Sequence, residues 1–278
     1  MSAANPTHAN AQRYWLGGSV SQMTAAMDAM LAAGQLPIPV QNGAGTSGKT
    51  DQGTLDAVVG QWVSNYGSFA KYDAKMAINI ANEWGPGGGT TWRDAYIGAV
   101  GKLRAAGYKC PLVIDAPAYG QGSGELVTGL AAIVAADPQH NVIGSIHIYG
   151  SFTQPATAGW QQDYATAIAA MKTCGAAVIV GEFGPGGNFG PSPTPILPLT
   201  IMRDACTSLC GFIAWSWDDP SAEYSNNQDG SASAPGSFAL CKNTNGGDYT
   251  SSADLTFYGR IVVEDPTFGT LHSTLAKM

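Results

Sequence analysis

The sequence predicts an α/β chain whose parallel strands close into a TIM-type (β/α)8 barrel, and three observations carry that expectation. Strand-like apolar runs alternate with amphipathic stretches from Leu36 onward and recur roughly every 30 to 40 residues, the repeat of a β-α unit. Several runs end in polar residues just before a break, as expected where barrel strands emerge at their carboxyl face. Finally, the phosphate loop of an open doubly wound sheet is a poor match, because Gly43-Ala44-Gly45-Thr46-Ser47-Gly48 has no Lys-Ser/Thr and no acidic residue ends the next strand in ribose position.

The candidate strands are Leu36–Gln41, Met76–Asn82, Pro111–Asp115, Val142–Ile148, Ala177–Glu182 and Gly211–Trp217. Their near-continuous apolar character suits parallel strands buried on both faces. Between them, Val20–Ala33, Leu55–Phe69, Trp92–Ala106, Leu126–Ala136, Tyr164–Lys172 and Ile201–Leu209 read as helices, with a closing helix over Asp254–Val263. Asp51 or Thr54 and Thr90 or Thr91 are plausible N-caps, and Gly34, Gly107 and Gly175 plausible C-caps. No linker splits residues 1–278, so one catalytic barrel domain is expected.

Bulk composition narrows the class. Hydrophobic residues make up 45%, ample for a core, while charged residues are only 12%. A net charge of -7 argues against nucleic acid and anionic membranes, which both call for basic patches. A surface rich in Ser, Thr, Asn, Gln and Gly suits an extracellular protein facing neutral polymer. The N-terminus shows no signal peptide, so secretion is an expectation from surface character alone. The five cysteines have no zinc-like spacing, and neither metal nor cofactor is expected.

The chemistry lies in two stretches, Ile78-Asn79-Ile80-Ala81-Asn82-Glu83-Trp84-Gly85-Pro86 and Val178-Ile179-Val180-Gly181-Glu182-Phe183-Gly184. Each is a core strand ending in glutamate, a residue that strands disfavour and that is seldom buried without a partner. Two carboxylates facing each other across a cleft are the equipment for cleaving a glycosidic bond.

Asn82-Glu83 closing one strand, His147-x-Tyr149 another, Glu182-Phe183-Gly184 a third and Ala214-Trp215-Ser216-Trp217 the last together resemble glycoside hydrolase family 5. The likeness runs from about Leu36 to the C-terminus and lies nearest the bacterial β-mannanases, through Ile-Ala-Asn-Glu-Trp and Ser-Ile-His-x-Tyr. The resemblance implies a retaining endo-β-1,4-glycanase acting on mannan or glucan, with Glu83 as acid/base and Glu182 as nucleophile. It further implies that Asn82 holds the sugar 2-hydroxyl, Tyr149 bonds the nucleophile and His147 orients the acid or the sugar. Trp217 is expected to offer its flat face to a pyranose ring. Glu83 must keep its proton near neutral pH, which Glu182 and apolar walls such as Trp84 are expected to favour. Trp84, Gln41 and Asn42 complete the expected substrate-binding set, and Asp115 and Tyr119 are candidates for the cleft wall.

Two departures stand against the family pattern. The likeness begins at what is normally the third strand, and Arg13-Tyr14-Trp15-Leu16 is long enough for one short strand only. One or two strands, and with them an arginine near the nucleophile, are therefore expected to be lacking. Gln41-Asn42 also stands where the family usually has His followed by Asn or Asp. A shortened barrel has open edges, so either a homodimer that seals the gap or a rearranged barrel of six to seven strands is expected. The alternative function is a weak or inactive sugar-binding barrel derived from such an enzyme.

Overall fold

The computed structural model describes residues 5–16, 19–41, 45–154, 159–186, 196–217, 238–242 and 249–273. Its centre is a curled parallel sheet in the order β1 (Ala11–Leu16), β2 (Leu36–Gln41), β3 (Ile78–Asn79), β4 (Leu112–Asp115), β5 (Val142–Ile148) and β8 (Ala177–Phe183). Two short strands, β6 (Phe152–Thr153) and β7 (Gln162–Asp163), form a separate parallel pair after β5. A seventh member of the main sheet follows β8: Phe212 bridges Val180, the Ile213 N–H donates to Val180 O at 2.8 Å and the Trp215 N–H to Phe183 O at 2.8 Å. Seven parallel segments fall within the six to seven expected. The first is a full six-residue strand in continuous register with β2, from Ala11 opposite Leu36 to Leu16 opposite Gln41.

Curling is visible in the contacts of the sheet's inner face. Ile38, Ala77 and Val113 are buried together and pack against Ala11, Leu36, Ile143, Ile179 and Ile213, one or two residues from each of the seven segments. Across the mouth, the Trp15 and Trp215 rings meet edge to face at 5.9 Å, joining the first segment to the last. Alternate residues of a strand share a face. Asp115 therefore stands above Val113 and His147 above Ile143, so the apolar floor and the polar mouth are successive layers of the same strands.

The outer face carries the larger core. Helices α1 (Val20–Ala32), α2 (Gln52–Phe69), α3 (Thr91–Ala106), α4 (Ser123–Ala136), α5 (Tyr164–Thr173), α6 (Pro198–Ser208) and α7 (Phe257–Glu264) surround the sheet. Ser19, Asp51, Asp163 and Thr256 cap α1, α2, α5 and α7 by accepting a backbone N–H three residues on. Of the two expected caps on α2 Asp51 serves, whereas Thr90 before α3 makes no side-chain cap. Aromatic residues from this layer also bind carbonyls where the strand ladders end. The Trp62 indole donates to Ile80 O at 2.9 Å, the Trp92 indole to Asp115 O at 3.1 Å and the Tyr258 hydroxyl to Phe183 O at 2.8 Å. No helix among the described residues is long and apolar enough to cross a membrane.

A bulge decides which way Glu182 points. The β5–β8 register runs from Ile146 opposite Val180 directly to His147 opposite Glu182, so Gly181 is an extra residue on β8. Strict alternation would place Gly181 with Ile179 on the inner face and turn Glu182 toward the helices. The slip instead brings Glu182 inward, while Phe183 packs with the outer core. A Cβ at position 181 would collide with Ser145 Oγ, so glycine is required there by proximity. Gly181→Ala is expected to cost about 1–3 kcal/mol by overpacking, read as a lower denaturant midpoint, and to reduce activity by displacing Glu182.

Candidate active site

The site occupies the carboxyl ends of the parallel strands, where a barrel presents its βα loops. The β3 ladder is shorter than the expected Met76–Asn82. Pairing stops at Asn79, the Ile80 N–H still reaches Val113 O at 3.1 Å, and the chain then turns inward. Glu83 lies in that turn with φ of 52°, in the left-handed region that non-glycine residues seldom occupy. The turn is held from several sides. Asp115 Oδ2 accepts the Glu83 N–H at 3.0 Å, the Gly48 N–H donates to Glu83 O at 3.1 Å and the Thr46 hydroxyl to Asn82 O at 2.7 Å. At the carboxylate, Oε1 lies 2.8 Å from His147 Nδ1 and Oε2 accepts a short hydrogen bond from the Ser47 hydroxyl.

Glu182 faces it from β8. The Arg13 guanidinium donates to its Oε1 at 2.6 Å and the Tyr149 hydroxyl to its Oε2 at 3.1 Å. His147 Nδ1 is 3.5 Å from Glu182 Oε2, so one imidazole nitrogen sits between the two glutamates. One carboxylate oxygen from each glutamate and a ring nitrogen of His147 all lie within 4.8 Å of one another. Beneath them, Asp115 is fully buried and its Oδ1 accepts the Asn79 amide at 3.2 Å. Arg13 also donates to Asn79 Oδ1 at 2.9 Å and Asn82 Oδ1 at 2.5 Å, tying β1 to the end of β3.

Electrostatics sort these groups into fixed charges and proton carriers. Burial alone works against the Arg13 charge, but Glu182, Asp115 and Glu83 outweigh it and hold the guanidinium above its ordinary range. Burial likewise disfavours a charged His147, yet Glu182 and Asp115 push its pKa up to about 10. Burial would raise Asp115, but His147 and Arg13 overcome it and hold this carboxyl well below the usual range. Burial and the neighbouring Glu182 keep Tyr149 a neutral phenol, a donor at any working pH.

Asn82, Glu83, His147, Tyr149 and Glu182 thus converge as the sequence pattern suggests. Gln41 is buried at the end of β2, and Asn42 lies outside the described residues. Trp217 is partly buried at the end of the seventh segment and packs on the edge of the outer core. Trp84 corrects an expectation: it is fully buried, its indole donates to Asp51 O at 3.0 Å and its ring meets Tyr96, so no face is open to a sugar. The left-handed turn at Glu83 throws the next side chain into the helical layer. Tyr119 (58% accessible), a candidate for the cleft wall, packs against Gly48 beside the Glu83 turn, and Trp160 (61%) is exposed as well.

The second correction concerns arginine. Arg13 on β1 supplies the cation that a shortened chain was expected to lack. The signal was a lone charged residue in the run Ala11-Gln12-Arg13-Tyr14-Trp15-Leu16, at a position sharing a face with Ala11 and Trp15. Asn79, one alternation before the polar strand end, also lacked an assigned role in the sequence reading.

A curled parallel sheet with two glutamates, an imidazole and an arginine at its mouth defines the glycosidase barrels as a class. The family model described as cellulase (glycosyl hydrolase family 5) matches residues 42–221, and the chain belongs to that family. It is 34% identical over 175 residues to a mannan endo-1,4-beta-mannosidase of Streptomyces lividans, an alignment covering 61% of this chain and 43% of that protein. A second such enzyme, from Salipaludibacillus agaradhaerens, is 29% identical over 64% of this chain and 55% of its own length. The chain thus spans about half the length of the curated relatives it matches. Among solved structures, the catalytic domain of mannanase from Streptomyces sp. SirexAA-E aligns with a TM-score of 0.75 at 25% identity, covering 97% of this chain and 80% of that one.

The imidazolium leaves a signature in stability. A group whose folded-state pKa is raised contributes stability that is complete below its unfolded value and lost as pH rises. For His147 that window runs from 6.5 to about 10. The thermal midpoint is expected to fall across it, and His147→Asn to flatten that part of the slope.

Proposed function

We propose that the chain is a retaining, endo-acting β-1,4-glycan hydrolase with β-mannan as its substrate. One observation carries this reading: carboxylate oxygens of Glu83 and Glu182 lie within 4.8 Å of each other over a shared hollow. So close an approach of the oxygens favours the about 5–5.5 Å carboxyl separation of retaining enzymes over the about 6.5–9.5 Å of inverting ones.

The two glutamates differ in their surroundings, and the difference assigns their roles. Glu182 receives a guanidinium and a phenol, which suits a carboxylate that must stay ionised to attack. Glu83 instead meets the Ser47 hydroxyl, which can donate or accept, together with His147 Nδ1, and lacks the direct guanidinium bond that Glu182 receives. In the first step Glu83 gives its proton to the glycosidic oxygen while Glu182 bonds the anomeric carbon, and the bond to the leaving sugar breaks. In the second step Glu83 takes a proton from water, whose oxygen displaces Glu182 from that carbon and restores both carboxyls. When Glu182 becomes an ester its charge disappears, and Arg13 keeps Asp115 at 3.4 Å and the Asn82 amide oxygen as partners. The names of the relatives support mannan over cellulose. The sugar-binding alternative rested on the missing strands and on Gln41; β1 restores one strand and brings Arg13 to Glu182, which favours the catalytic reading, while Gln41 still ends β2.

Digestion of a panel of β-1,4 polysaccharides with product sizing tests the substrate, with short oligosaccharides of retained anomeric configuration expected from mannan. Glu182→Ala is expected to abolish turnover. Glu83→Ala is expected to lose the polymer but keep glycosides whose leaving group needs no protonation. Full activity on mannan in either variant defeats the assignment. Arg13→Met is expected to lower kcat on the order of 10²–10³-fold, as does removal of other charge-directed donors; an unchanged kcat in a folded variant removes Arg13 from the mechanism.

A further inference from the structure

We propose that Asp115 is the positioning residue of the acid/base: it clamps the left-handed turn that presents Glu83 and holds the charge of the imidazole that bonds the Glu83 carboxyl. This rests on the hydrolase reading above and assigns a role to a residue that is fully buried beneath the two glutamates.

Asp115 occupies a hub. One oxygen, Oδ2, accepts the Glu83 N–H at 3.0 Å and faces Arg13 at 3.4 Å. The other, Oδ1, accepts the Asn79 amide at 3.2 Å and lies 3.5 Å from His147 Nε2. The far side of that ring, Nδ1, meets Glu83 Oε1 at 2.8 Å. Asp115 thus acts on Glu83 twice, through its backbone and, across the imidazole, on its carboxyl. Strain at a non-glycine residue persists where surroundings over-determine it, and such residues cluster at functional sites. Here the strained residue is the acid itself, with φ of 52°.

The chain offers a comparison for the ordinary structural role. Asp73 also accepts backbone N–H groups, from Lys109 and Cys110, and Asp51 caps α2. Neither makes contact with an imidazole or a guanidinium in those bonds. Asp115 is fully buried, and a buried carboxylate is costly unless its charge is used or matched.

The charged and titratable groups facing His147 are Arg13 from β1, Glu83 after β3, Asp115 from β4, Glu182 from β8, and Tyr149 two residues on in its own chain. Asp115 is the carboxylate beside Nε2, a 3.5 Å charge contact rather than a formed hydrogen bond, and its negative charge favours the charged ring. His147 therefore keeps its second proton, and with it the Nδ1–H that meets Glu83 Oε1, to higher pH than it would beside a neutral group.

Asp115→Asn separates the clamp from the charge. The amide oxygen still accepts the Glu83 N–H, while the NH2 that replaces Oδ1 favours a neutral ring. The expected result is an alkaline limb of kcat/KM shifted down by about one pH unit or more, the size of effect an opposite charge has at this range, with KM nearly unchanged. Asp115→Glu keeps the charge but moves the clamp, and is expected to retain the limb while losing kcat on the order of a hundredfold. In parallel, His147 is followed by NMR titration, expected near 10 in the native chain and lower in Asp115→Asn. Unshifted pH profiles in folded Asp115→Asn, or a uniform loss of kcat without a shift, overturn the proposal. A native His147 that titrates at its ordinary 6.5 overturns it without any variant. If the native chain cleaves no β-glycan but the His147 titration shifts as expected, the hydrolase reading fails and the Asp115–His147 coupling stands.

Discussion

Three carboxylates and an imidazole lie in one hollow of this molecule, and the guanidinium of Arg13 is what lets them stay there. Glu182, Asp115 and Glu83 all raise the proton affinity of Arg13, and its own donors reach Glu182, Asn79, Asn82 and Asp115. Its side chain is only 4% accessible, so water gives the acidic groups little help. Buried charges of one sign are tolerated only when matched and hydrogen-bonded. Arginine suits this place better than lysine, because its planar fork serves several acceptors at fixed angles and it does not deprotonate.

The second constraint is directional. A parallel strand sends alternate residues to opposite layers, so a glutamate at a strand end faces the mouth only if its parity is right. Glu182 has the wrong parity for an unbroken β8, and the bulge at Gly181 corrects it. Glu83 arrives by another route, through a left-handed turn after a ladder that stops early at Asn79. One local irregularity per glutamate therefore sets the distance between the two carboxyls.

Much of this was legible in the residues. Glu83, Glu182, His147 and Tyr149 stand out because polar groups ending apolar runs contradict the local pattern, and such contradictions gather at functional sites. Arg13 was harder to see. It lies in mid-strand among half-buried residues, and its long side chain climbs to a mouth that its own position does not mark. Trp84 was misread because adjacency to Glu83 suggests a shared face, whereas the turn between them sends the ring into the helical layer. Asp115 was visible as a strand-end acid, but its service to a backbone N–H far along the chain has no trace in local sequence. Pattern reveals which side chains are out of place; only the path of the chain reveals what each one holds.

The bond between Arg13 and Glu182 joins residues 169 positions apart. Contacts of such span form late, after the loop-closure entropy of the intervening chain has been met. A nascent or partly assembled copy can carry both glutamates on well-formed strands and still lack their counterion, because Arg13 arrives only when β1 docks beside β2. The completed charge cluster thus doubles as a checkpoint on assembly: Glu182 meets its cation only once the first and sixth strands of the sheet have been brought to one mouth.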